Sequence, residues 1–192
     1  MSLKYLWNKL EKMDSLEQQA YIENIFKQFD ITPYYPIADN FKDTTGKESS
    51  GKNPLGYIAI HLTNKQIYEL LPEYYRELLP IPSINSIQQL NILSYIRRTI
   101  EAIDRYDADN LPILDCDVED MLDVFEFGVG KYHTWSFLDL NPYTLVPALF
   151  RHLYKYHYIS KTDEETNASH LAHAACNIRM IQLIIERGEQ HE

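Results

Sequence analysis

Ala168-Ser-His-Leu-Ala-His-Ala-Ala-Cys-Asn-Ile-Arg-Met-Ile-Gln-Leu-Ile-Ile-Glu-Arg187 is the stretch from which the fold is read. Successive residues of a helix turn by about 100°. On that wheel Leu171, Ala174, Ile178, Ile181 and Ile185 make one apolar stripe, as in a helix with one face in a core. His170, His173 and Asn177 fall within a neighbouring arc of roughly 60°. They border the buried seam, where a side chain can be half-enclosed and still reach a ligand. Two core-edge histidines bonded to adjacent helices would satisfy the same pattern.

The segments before it carry matching faces. Asn141-Pro142 is a helix start, and Pro147 requires either a kink there or a true beginning near Val146, with the helix running to about His157. On this helix Arg151, His152 and Lys155 share a face beside Val146, Leu149, Phe150 and Leu153. Arginine forks suit phosphate oxygens and lysine adds a point charge. Salt bridges to an acidic helix are the alternative use. That acidic helix spans residues 117–127, with Gly128 suited to a left-handed cap. Asp120 sits at the edge of its apolar arc of Val118, Met121, Leu122, Val124 and Phe125, and Asp123 lies one step further out. Carboxylates three residues apart project from one face and can share a metal ion, or serve as a solvated first turn.

The remainder reads as supporting helices. Residues 3–12 and 15–29 are short helices, the second opened by a capping-box spacing of Ser15 and Gln18. Residues 30–56 look irregular, punctuated by Pro33, Pro36, Gly46, Gly51, Pro54 and Gly56, with Lys42, Lys47 and Lys52 between them. Tyr57 to Leu62 is a weak apolar stretch, the one place that hints at β alternation. Thr63 with Gln66 gives another capping box for a helix to Leu71, and Pro72 starts a further one ending near Leu79. Ser86 with Gln89 opens the clearest long helix, whose stripe is Leu90, Leu93, Ile96, Ile100 and Ile103, with Arg97, Arg98, Glu101 and Asp104 as its solvated face. The class is all-α.

The chain has 192 residues and a formal net charge of -10, from 18 Lys and Arg against 28 Asp and Glu. That balance disfavours general binding of duplex nucleic acid, which needs clustered cations, and suits a divalent cation carried with a free nucleotide. Cys116 and Cys176 form neither a zinc pattern nor a disulfide framework, so a reducing compartment is expected. No stretch has signal-peptide or membrane-spanning character.

Phe127-Gly128-x-x-Lys131-Tyr132, then Trp135, Arg151-His152, Asp163 and His170-Leu-Ala-His-Ala-Ala-Cys-Asn177, resemble the N-terminal domain of phage dATP/dGTP diphosphohydrolases. That family is related in style to the all-α MazG-like nucleotide pyrophosphohydrolases. The resemblance covers roughly residues 111–185. It implies a MazG-like helical bundle at residues 106–192, with residues 1–105 a helical N-terminal extension packed on it. The implied activity is metal-dependent cleavage of purine deoxynucleoside triphosphates to monophosphate and pyrophosphate. Mg²⁺ (or Mn²⁺) would be held by Asp120, Asp123 and Asp163, with Asp120, Asp163, His170 and His173 catalytic. Lys131, Tyr132, Trp135, Arg151, His152, Lys155 and Asn177 would bind substrate. A homodimer or higher homo-oligomer in the cytoplasm (the host's, if phage-encoded) is implied too. Two departures stand out. Asp120 occupies a position where the family usually carries Glu, and Ile159-Ser160-x-x-Asp163 replaces its Gly-Glu-x-x-Asp. They motivate the alternative, a non-catalytic protein that binds or sequesters a nucleotide or other phosphate ligand.

Overall fold

A computed structural model describes residues 2–41, 54–70, 87–132 and 135–189. Within them the protein is all-α: α1 (Ser2–Leu10), α2 (Ser15–Gln28), α3 (Pro54–His61), α4 (Asn64–Glu69), α5 (Ile87–Asp104), α6 (Val118–Lys131), α7 (Val146–Tyr158) and α8 (His170–Glu189), with short 3₁₀ turns at Ile37–Phe41, Ala108–Asn110, Ser136–Asp139 and Pro142–Leu145. The one β feature among the described residues is an isolated antiparallel bridge between Thr162 and Ser169. Among the described residues no helix is long and apolar enough to cross a membrane. The helix expected at 72–79, the Ser86 cap, and Lys42, Lys47 and Lys52 lie outside the described residues.

The centre of the fold is α3, where Pro54 to Ile60 are all buried. By sequence these residues read as the end of an irregular segment and a weak apolar run. They are instead a helix covered on every side, by α1, α2, α5 and α7. Such a helix has no polar face, so it shows no 3.6-residue periodicity. Its C-terminal carbonyls find a partner in Arg97 of α5. The guanidinium donates to Ile60 O at 2.9 Å, to Ala59 O at 3.2 Å and to Leu62 O. Arg97 therefore does not belong to the solvated face, where Arg98 and Glu101 do lie. At the other end of α3, Gly56 lets α7 come close. A Cβ there would lie 2.6 Å from the Pro147 carbonyl oxygen. The main hydrophobic cluster runs from Leu3 to Ile185 and draws residues from both sides of residue 105.

Several boundaries differ from expectation for local reasons. Asp14, not Ser15, caps α2, in a reciprocal box with Glu17. Gln18 is buried and its amide donates to Leu10 O and Met13 O behind α1. The Thr63–Gln66 box forms as expected. α6 does not stop at Gly128 but continues through Gly130 to Lys131, and Tyr132 N–H closes it onto Gly128 O. α7 begins at Val146 after a 3₁₀ turn capped by Asn141, so Pro147 lies in the first helical turn and introduces no kink.

Two substitutions test this frame. Gly56→Ala should cost about 1–3 kcal/mol by pushing α3 from α7. Arg97→Met should cost about 2 kcal/mol by orphaning carbonyls, which lowers Tm by roughly 4–8 °C in a chain of this size. Thermal unfolding followed by circular dichroism checks both.

Candidate functional site

α6, α7 and α8 surround a cavity of about 260 Å³. Small side chains make room for it. Ala172 and Cys176 of α8 pack with Val124 of α6 and Ala168 in a minor cluster. The aromatic wall includes Phe127, Tyr132, Trp135 and Phe137. Trp135 is 59% exposed and its φ of 66° is left-handed, an uncommon state for a non-glycine residue. The polar part of the lining is Arg151, His152, Asp163, Thr166, His173 and Asn177.

The loop between α7 and α8 aims Asp163 inward. Asp163 N–H donates to Ala168 O, and Asn167, in the left-handed region at φ 57°, returns its N–H to Asp163 O. The carboxylate Oδ1 accepts from the Glu165 and Thr166 N–H groups at 3.1 and 3.3 Å. Burial alone would push this carboxyl up, but His173, those N–H bonds and His170 hold it below its ordinary value. Thr166 Oγ1 lies 2.7 Å from His173 Nε2 and accepts from Ala168 N–H. Asn177 donates its side-chain N–H to His173 O.

The histidines of this region interlock. The His152 and His173 rings stack at 4.5 Å and 4°. His152 Nε2 is 3.0 Å from Arg151 Nη2, and His152 Nδ1 is 3.0 Å from His170 Nδ1. A guanidinium can only donate, so Nε2 of His152 accepts. The His152 proton then sits on Nδ1 and points at an unprotonated His170 Nδ1. Burial, followed by the Arg151 charge, keeps His152 neutral. Burial likewise lowers His173, and takes His170 down to about 4 against the pull of Asp163. Arg151 is largely buried, and its Nε has no hydrogen-bond partner among the described residues. That atom is shielded from solvent, so the part of Arg151 that lines the cavity is the rest of its side chain.

Not every expected residue joins this group. Asp123 is exposed on α6, and Asp120 is half-buried one turn before Val124, outside the cavity lining. Asp120 lies near Cys116, whose thiol is pushed up by burial and by Asp115, Asp120 and Asp117. The three carboxylates expected to hold the metal are therefore not gathered. The donors that are gathered within 4.8 Å of one another are His152, Asp163 and His170. Two imidazoles and one carboxylate suit Mn²⁺ and its first-row neighbours better than Mg²⁺, which prefers oxygen. Lys155 is half-buried off the cavity, though its charge reaches His152 and His170. Lys131 lines the cavity and is paired with Glu165 of the loop at 2.9 Å. Thr166 is a site residue that sequence reasoning passes over. The spacing Asp163-x-x-Thr166, usual in side-chain-closed turns, is the signal that points to it.

The model of the family described as dATP/dGTP diphosphohydrolase, N-terminal, matches residues 104–192. The match contains every motif that carries the resemblance. No curated protein and no solved structure matches the chain.

The neutral histidines give the fold an acid limit. A folded-state value below the unfolded one means that the neutral form is stabilising. For His170, and for His61, also held at about 4 by burial, that stability is complete above the ordinary 6.5 and is lost as pH falls toward 4. Asp163 adds its loss below its ordinary 3.8. Tm should therefore decline from pH 6.5 to 4, ahead of carboxylate protonation. A Tm that stays flat over that range would contradict the neutral assignment.

Proposed function

We propose that this chain hydrolyses purine deoxynucleoside triphosphates between the α- and β-phosphates, giving monophosphate and pyrophosphate. The observation that carries the reading is the cavity that gathers Arg151, Asp163 and neutral His173 with the aromatic rings of Phe127, Tyr132 and Trp135. Arg151 presents a fork to phosphate oxygens in a partly enclosed site, where a charge-assisted bond counts for more than on an open surface. Lys131 reaches the same anion by leaving Glu165. Trp135 and Tyr132 offer faces on which a base can stack.

The chain's own groups can also handle the proton. Water attacks the α-phosphorus as the bond to the bridging oxygen of the β-phosphate breaks. Asp163 orients that water, and its proton passes through the Thr166 hydroxyl to Nε2 of His173, which burial keeps free to accept it. A divalent ion, when bound, would neutralise phosphate charge and make the water more acidic. The homo-oligomer implied by the resemblance belongs to the same reading.

One observation favours binding without turnover. Ser160, which replaces a glutamate of the family pattern, lies on the exposed loop with its hydroxyl bonded to Thr162 O. It supplies no carboxylate to the cavity.

Incubating the protein with each deoxynucleoside triphosphate and Mn²⁺ or Mg²⁺, and separating the products, decides between these. We expect monophosphate and pyrophosphate from dATP or dGTP. Arg151→Ala should lower kcat/KM by about 10²–10³-fold, and His173→Gln should act mainly on kcat. Diphosphate or triphosphate among the products would discard the proposed bond. No turnover, with a nucleotide-induced rise in Tm, would leave the binding-only reading standing.

A further inference from the structure

We propose that His152, Asp163 and His170 form a binding site for one divalent first-row transition ion of the Mn²⁺ to Zn²⁺ series. The proposal is independent of nucleotide hydrolysis. The three residues come from two helices and the loop between them, and their donor atoms converge within 4.8 Å. His152 Nδ1 and His170 Nδ1 are 3.0 Å apart, and Asp163 Oδ2 is 3.6 Å from His170 Nδ1. With metal–ligand bonds of about 2.1 Å, the first separation subtends roughly a right angle and the second roughly 120°. Both are ordinary coordination angles. The 3.6 Å gap is too long for a hydrogen bond, so the carboxylate is near the imidazoles without being joined to them.

The donor set selects the class of ion. Imidazole nitrogen suits borderline ions, whereas Mg²⁺ keeps oxygen ligands and several waters. A site with His170 only 2% exposed and His152 only 4% leaves little room for that water shell.

Coordination also has a definite consequence for Arg151. The proton now between the two Nδ1 atoms must leave His152 Nδ1 so that its lone pair can bind the ion. It moves to His152 Nε2, which then faces Arg151 Nη2 from 3.0 Å as a second donor. Two donors cannot share that contact, so the guanidinium turns into the cavity. The ion and the Arg151–His152 bond are alternatives. An anion in the cavity gives the released guanidinium a partner and so favours uptake of the ion.

The test uses the full chain, stripped with a chelator and titrated with Co²⁺. We expect visible d–d absorption that saturates at one ion per chain, persists in excess Mg²⁺ and tightens when inorganic pyrophosphate is added. His152→Gln and His170→Gln should each weaken binding by about 100-fold or more, beyond the roughly 10–100-fold typical of outer-shell changes. Asp120→Asn should leave the spectrum unchanged. No saturable band, or an unaltered band in His170→Gln, overturns the site. If the glutamine variants fail to fold by circular dichroism, Mn²⁺ broadening of wild-type histidine ring resonances decides instead. His152 and His170 must broaden before His61 and His157, and the reverse order overturns the proposal. Co²⁺ binding without turnover would count against the hydrolase reading alone, and turnover without this binding against the metal site alone.

Discussion

The guanidinium of Arg97 on the last carbonyls of α3 is the contact on which the arrangement depends. A helix buried on all sides gains much from apolar burial but leaves its terminal carbonyls without water. Arg97 supplies several donors from one side chain and needs no second helix to intrude. With that end satisfied, α3 can sit at the centre, and Gly56 brings the start of α7 against it. The position of α7 then decides where Arg151 and His152 point.

The site inherits a different constraint, the crowding of cationic and basic groups in little water. Arg151, Lys155 and three histidines share one region with the carboxylate of Asp163. Neutral imidazoles relieve that crowding, since a charged ring beside a buried guanidinium would cost far more than a tautomeric chain of hydrogen bonds. The same neutrality leaves lone pairs available to a proton or to a metal. The Lys131–Glu165 pair in the cavity lining is more exposed and contributes little to the fold. An anion can therefore compete for Lys131 at small expense.

Much of this is legible in the residue order itself. The stripe of α8 and the polar arc beside it follow from spacing alone, as do the cationic face of α7 and the break at Pro147. Misreadings cluster where a local signal has two uses. Gly128 can cap a helix or ride inside one. Ser15 and Asp14 compete for one cap, and the buried Gln18 is taken by α1 instead. Arg97 falls on a polar face by its angle, yet that face looks onto the end of α3.

The sequence alone determined the helical class, the faces of the long helices and the residue types available for phosphate or metal chemistry, because amphipathic periodicity is a property of neighbours along the chain. Only the tertiary structure decided which faces meet. It put Asp163 with His152 and His170 and left Asp120 and Asp123 outside, and it revealed a central helix that carries no periodic signal. The physical reason is that these outcomes depend on close approach at Gly56, Ala172 and Cys176 and on a turn closed by backbone bonds at Asp163. Most of those contacts join residues far apart in the chain, and local spacing does not encode them.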